Sequence, residues 1–398
     1  MPAFDTLWSE LEPIGRHAAT GGYRRFAWTG EDAVLREWFA SAAEARGLDL
    51  TLDRAGNQWA WWGDPDAAVT AGDPGVVIGS HLDSVPDGGA FDGPLGVVSA
   101  FAAVDALRVA GFTPRRPIGV VNFGDEEGAR FGVACAGSRI ITGALDADRA
   151  RGLRDGDGFT MAEAMQRSGF SDDSAAADPE TLARIGTFVE LHVEQGRALV
   201  DLDAPVGLAS SIWPHGRWRL DLLGEANHAG TTRLVDRRDP MLALAAVIQE
   251  ARRAAQTYGA VATVGKVRVE PNGVNAIASA VTAWLDARGP NEPDVRRIAQ
   301  FVAEAGGVAA IEESFTADTP FDAPLRDRLA TALGGQVPVL ATGAGHDAGI
   351  LAGAGIPTAM IFVRNPTGVS HSPAEHAETS DCHAGVEALT SAVRELAS

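Results

Sequence analysis

Apolar and polar positions alternate along this chain with two different periods. From Glu31 to Ala45 the apolar residues recur at helical spacing. DLTLDRAGNQWAWWG, residues 49–63, then alternates as a hairpin does, with Asn57 near its turn. Short apolar runs follow at Val76–Ile78, Pro117–Phe123, Val337–Leu340 and Thr358–Val363, each the length of a buried strand, and Thr187–Glu194 alternates, with Glu190, His192 and Glu194 on one face. Between them the pattern predicts an Ala-rich helix from Pro94 to about Ala110, with Gly111 placed to stop it, and helices over Asp322–Leu333 and Cys382–Leu396. Residues 144–181 are polar and acidic, predicting one helix, Met161–Arg167, between mobile connections.

The texture changes near Ser211. Strands are predicted at Arg217–Leu223, Val261–Val269, Ala280–Ala287 and Val308–Phe315. Helices are predicted from Asp239-Pro240 onward and over Glu292–Glu304. The order β-α-β-β-α-β is that of a ferredoxin-like α+β unit. The expected organisation is an α/β domain formed by residues 1–211 and 322–398, with residues 212–321 inserted as a second domain.

The chain has 398 residues, enough for two domains of ~100–200 residues each. No apolar run approaches the ~20 residues that span a bilayer, and the first residues lack a signal-peptide pattern, so a soluble cytoplasmic protein is expected. A formal net charge of −20 argues against nucleic acid as a partner, because phosphate binding needs a basic footprint. Two cysteines, Cys135 and Cys382, make neither a disulfide framework nor a four-Cys zinc site. Lys266, the only lysine, lies mid-strand, which disfavours Schiff-base chemistry.

Candidate chemistry gathers where predicted strands end. GVVIGSHLDSVPDGGAFDGPLG, residues 75–96, delivers His81, Asp83 and Asp92 between a strand and a helix, at the edge of an α/β sheet where ligands bind. Asp83 lies two residues from His81, either orienting its ring or standing behind the ligands. The plain alternative is a Gly/Asp turn that only caps the helix. After Phe123 come Gly124, Asp125, Glu126, Glu127 and Gly128; one glutamate can hold a metal while its neighbour faces substrate, or the pair is a surface turn. His192 ends another strand, and His371 follows the last. Mixed histidine and carboxylate ligands suit Zn²⁺, Mn²⁺ or Co²⁺.

These segments, with GEANHAGTT, PNGVNAI, DARG, GAGHDA and GVSHSPAEH, resemble in order the motif series of the hydantoinase/carbamoylase family of dimetal amidohydrolases. The resemblance implies a zinc-exopeptidase-like catalytic domain with a mixed sheet flanked by helices, and an inserted lid that forms a homodimer. It implies two divalent ions per subunit. His81 and His192 serve one metal, Asp92 bridges, Glu127 and His371 complete the second site, and Asp83 orients His81. Glu126 becomes the general base and His228 the oxyanion donor, often in the neighbouring subunit. Arg288 becomes the carboxylate clamp, and Asn275, Gln195 and His346 become substrate contacts. The implied substrate is a small ureido or N-carbamoyl carboxylate. The wording of SIWPHGRWR and ANHAGTTRLVDRRDP favours allantoate, with N-carbamoyl-L-amino acids or N-carbamoyl-β-alanine as alternatives. A silent binding protein, or a peptidase of the same fold, are the competing readings. Asp125 is expected either to raise the pKa of Glu126 or to point to solvent.

Overall fold

The computed structural model describes residues 2–171 and 174–398. It divides into two compact units, residues 1–210 with 320–398, and residues 211–319.

The first unit is built on a mixed nine-stranded sheet. Its strands are β1 (Asp49–Leu52), β2 (Gln58–Trp62), β3 (Gly75–His81), β4 (Ile118–Phe123), β5 (Ile185–Val193) and β6 (Val206–Ile212). Four strands of the second unit intervene before β13 (Thr319–Pro320), β14 (Val339–Thr342) and β15 (Thr358–Val363); they and two short strands are described below. The sheet order is β1-β2-β4-β3-β5-β15-β6-β13, with β14 also pairing β6. β4, β3, β5 and β15 run parallel to one another, so their carboxyl ends open on one edge. These four strands are buried almost throughout, which is why β3, β4 and β15 read as apolar runs. Helix Pro94–Val109 packs against them, buried nearly all round, and helix Thr379–Ala397 packs against it. Phe101 is fully buried there, its ring 5.0 Å from that of Phe39. Burial of such a side chain contributes about 2–3 kcal/mol.

Several boundaries differ from the sequence pattern. The strand expected at Val337–Leu340 is β14, two residues later, because its apolar run is too short to fix the register. An N-terminal helix, Pro2–Leu11, precedes the helix expected from Glu31 to Ala45. Residues 144–181 hold three short helices, Ala147–Gly152, Met161–Arg167 and Pro179–Ala183, rather than one; part of the connection expected to be mobile, residues 172 and 173, lies outside the described residues. Each of the three carries its own side-chain cap, from Asp146, Thr160 and Asp178.

The second unit is a four-stranded antiparallel sheet of β7 (His215–Leu223), β9 (Val261–Glu270), β11 (Ala280–Arg288) and β12 (Ile311–Thr316), in the order β12-β7-β11-β9. Helices Pro240–Tyr258 and Glu292–Gly306 pack on it, the first capped by Asp239. The last strand begins at Ile311 rather than Val308, since Val308 serves instead to close the preceding helix. A two-stranded ladder of β8 (Asn227–His228) and β10 (Ala276–Ile277) stands apart from the sheet.

Candidate metal centre

The ligand-type residues of the first unit emerge from the carboxyl ends of its parallel strands and from the loops beyond them. His81 is the last residue of β3, and His192 lies next to the end of β5. The ring of His192 is fixed by a contact of Nδ1 with the carbonyl oxygen of Val193 at 2.9 Å, so Nδ1 carries the proton and Nε2 presents its lone pair. His81 Nδ1 is held in the same way by the carbonyl oxygen of Asp83, at 3.2 Å. Both Nε2 atoms are buried without a hydrogen-bond partner, a costly state for a polar atom unless something fills the space.

What faces them is Asp92, and its two oxygens serve different neighbours. Oδ1 lies 3.1 Å from His192 Nε2 and 3.7 Å from His81 Nε2. Oδ2 lies 3.3 Å from His371 Nε2. Glu127 Oε2 is 3.5 Å from that same nitrogen. Two ligand clusters result, His81-Asp92-His192 and Asp92-Glu127-His371, sharing one carboxylate. The donor set, histidine nitrogens with shared carboxylate oxygens, suits two divalent ions held by these residues. Asp92 precedes helix Pro94–Val109, whose first turn favours negative charge. Gly93 has φ +82, and a β-carbon there would collide with the His81 ring, so only glycine lets the loop pass.

Asp83 acts mainly on the backbone. Its two oxygens accept the N–H groups of Glu126, at 3.1 Å, and Glu127, at 3.0 Å. Its carboxylate is also 3.4 Å from His81 Nδ1. One buried side chain thus ties the glutamate pair to the strand that carries His81. Glu126 is buried and the side chain of Glu127 is only 7% exposed, so the pair is not a surface turn. Glu126 Oε2 lies 3.6 Å from His81 Nε2, and Oε1 receives the Cys135 thiol at 3.2 Å. Burial raises the Glu126 pKa well above the usual range; His81 opposes this, and Asp347, Glu127 and Asp83 add to it. Asp125 is buried too, so it does not point to solvent. Asp125, Cys135 and His371 all adopt left-handed backbone, with φ of 54°, 54° and 55°. Such conformations cost about 1–3 kcal/mol each and tend to cluster at functional sites.

Gln195 and His346 also belong to this cluster. Gln195 donates to Asp92 Oδ2 at 2.6 Å. His346 is buried with Nε2 unpartnered and its ring 4.4 Å from that of His192. Burial, with His192 beside it, pushes its pKa well down, so the ring is neutral. It forms a further ligand-type group with Glu190 and His192, but the Glu190 oxygens are taken by Ser80 Oγ and the Ala348 N–H.

The remaining candidates lie in the second unit. His228 is exposed and sits opposite Ala276 in the small ladder, next to Asn275, whose carbonyl accepts the Ala229 N–H. Its Nδ1 accepts the Gly230 N–H at 2.9 Å, so in the neutral ring Nε2 carries the proton. Arg288 ends β11 opposite His215, and its guanidinium is forked onto Asp286 at 2.7 and 3.0 Å.

Sequence reasoning missed Cys135 and Glu375. Glu375 lies four residues after His371 within GVSHSPAEH, which was the available signal. Nothing in the pattern marked Cys135, whose contact with Glu126 depends on a left-handed turn.

Comparison with known proteins follows this geometry. Residues 77–395 match the family described as Peptidase family M20/M25/M40. An N-carbamoyl-L-amino acid amidohydrolase from Geobacillus stearothermophilus is 37% identical over 99% of this chain and 98% of that protein. Allantoate amidohydrolase from Escherichia coli is 31% identical over 95% of this chain and 93% of that protein. The crystal structure of a hydantoinase/carbamoylase family amidase from Burkholderia ambifaria superposes with a TM-score of 0.84 at 30% identity, covering 99% of this chain and 98% of that one.

Proposed function

We propose, on the premise that this chain belongs to the M20/M25/M40 peptidase family and is an amidohydrolase within it, that it hydrolyses the amide C–N bond of a ureido or N-carbamoyl carboxylate. The observation that carries the reading is the sharing of Asp92 between two ligand clusters with Glu126 beside one of them. His81, Asp92 and His192 would hold one ion, and Asp92, Glu127 and His371 the other. When bound, the ions polarise the scissile carbonyl and acidify the attacking water.

The residues do the rest. Glu126, made basic by burial, takes the proton from water and returns it to the leaving nitrogen. The thiol of Cys135 holds one of its oxygens and leaves the other facing the site. His228, with its proton on Nε2, donates to the developing oxyanion. Arg288 would bind the substrate carboxylate in competition with Asp286, which now takes its guanidinium fork. Asn275, Gln195 and His346 contact the remaining polar groups. The second unit is read as a lid and as the interface of a homodimer in which His228 serves the partner's site. The edge strand β9, largely exposed, supports this.

Allantoate is the substrate this reading places first. It carries a carboxylate and two ureido groups, and the second ureido group needs polar partners such as Asn275 and His346. Water and allantoate would give ureidoglycine, ammonia and carbon dioxide. The 37% identity to an N-carbamoyl-L-amino acid amidohydrolase supports the second reading, in which an apolar amino-acid side chain replaces the second ureido group. The test is kcat/KM for allantoate, N-carbamoyl-L-methionine and N-carbamoyl-β-alanine, by ammonia release, after chelation and Mn²⁺ restoration. Allantoate should lead by tenfold or more, ~1.4 kcal/mol in transition-state terms. A tenfold preference for the methionine compound overturns the allantoate assignment, and full activity of a verified metal-free sample overturns the metal reading.

A further inference from the structure

Glu375 is buried, 5% exposed, and its oxygens have defined partners. Oε1 accepts two main-chain N–H groups, those of Phe91 and of Asp92 itself, each at 2.9 Å. Ser370 Oγ lies 3.3 Å from Oε2 and also 3.3 Å from Asp92 Oδ2. The carboxylate therefore grips the backbone of Asp92 on one side and reaches its side chain through a hydroxyl on the other. The loop before Asp92 is shaped to admit this contact, since a β-carbon on Gly89 would collide with the Glu375 carboxylate. Ser370, His371 and Glu375 lie on one loop, so the contact joins the segment carrying a candidate ligand to the residue that links both clusters.

We infer that Glu375 is a positioning residue that holds Asp92 between the two metal positions, locking its loop to that of His371. The inference rests on the dimetal reading above. A second carboxylate buried this close to Asp92 is electrostatically unfavourable. A role in packing alone does not need the charge. Its geometry is instead that of an acceptor for converging N–H donors, where an ionised group forms hydrogen bonds roughly twice as strong as a neutral one.

The experiment uses the full chain, stripped of metal and titrated with Mn²⁺ by calorimetry, with electron paramagnetic resonance to detect spin coupling between two bound ions. Thermal melts report folding. Wild type should bind two ions with a coupled signal. Glu375→Ala should melt as a folded protein yet bind Mn²⁺ about 10–100-fold more weakly, the usual effect of losing a group that orients a ligand, with the coupled signal lost or altered. Glu375→Gln keeps an oxygen for both N–H groups and should recover most of the affinity and the coupling. Gly89→Ala, which displaces the carboxylate from the other side, should reproduce the alanine defect and keeps the test open if Glu375→Ala does not fold. Two ions bound with wild-type affinity and coupling in the folded Glu375→Ala or Gly89→Ala protein overturns the inference. Wild type that binds no Mn²⁺ overturns the dimetal reading, and this inference with it.

Discussion

Raising the pH of the metal-free protein from 6 to 9 should strengthen its grip on Mn²⁺ by several orders of magnitude. Without metal, its ligands hold protons. The hydrogen bond to Asp92, with Glu127 adding, raises the His371 pKa to about 9. Burial, with Asp92 adding, raises Glu127 to about 7. Burial disfavours the charged form of His81 and His192, but the surrounding carboxylates outweigh it and both are shifted upward. A divalent ion takes only the deprotonated forms, so each raised pKa suppresses binding below it and releases the suppression as pH rises through it. At pH 7 His371 is almost fully protonated and Glu127 about half, so ion entry at their site expels roughly 1.5 protons by these two groups alone. The apparent affinity should climb at least about tenfold per pH unit between 7 and 9, and about a hundredfold per unit below 7, where both groups lose protons. It should flatten above 9. Calorimetric titrations in two buffers of different ionisation enthalpy count the protons directly. A Kd constant between pH 6 and 9, with less than about 0.5 proton released per site at pH 7, would refute the reasoning.

Two further outcomes are expected. Glu126→Gln should leave metal content unchanged and lower kcat by roughly 10²–10⁴-fold, whereas Glu127→Gln should empty one metal position; atomic absorption and steady-state kinetics on the same samples would expose a reversal of the two roles. Mixing inactive His228→Ala with inactive Glu126→Gln should restore up to about a quarter of wild-type activity, because one site of the mixed dimer carries both native residues; a monomer by light scattering, or no recovery after proven exchange, counts against a shared site.

The frame of the first unit was legible because its parallel strands are buried on both faces, and a doubly buried strand writes itself as an apolar run. β15 was located to the residue and β4 to within one for this reason, while β5 was located to within two from an alternating pattern. The candidate ligand residues were legible because each follows a predicted strand. The structure refined their surroundings. Asp83, expected to orient the ring of His81, has its carboxylate 3.4 Å and its carbonyl 3.2 Å from Nδ1 of that ring, and the carboxylate also accepts the N–H groups of Glu126 and Glu127. Gln195, expected against substrate, also donates a hydrogen bond to Asp92. Such contacts join residues that are distant in sequence, over 100 positions apart for Gln195 and Asp92 and over 280 for Glu375 and Asp92. No local pattern encodes them.

The division of the chain has a bearing on how substrate preference is inherited. Every residue of the two ligand clusters lies in the first unit, whereas His228, Asn275 and Arg288 lie in one uninterrupted insertion, residues 211–319. On the proposed reading, changes at Asn275 or Arg288 would retune which molecule is accepted while His228 and the two ligand clusters stay as they are. Overall percentage identity is then weighted toward the part that relatives with different substrates have in common. A swap of residues 211–319 between this chain and a relative of known preference would carry the preference with the transplanted segment, and would show that relatives should be ranked by the insertion rather than by the whole chain.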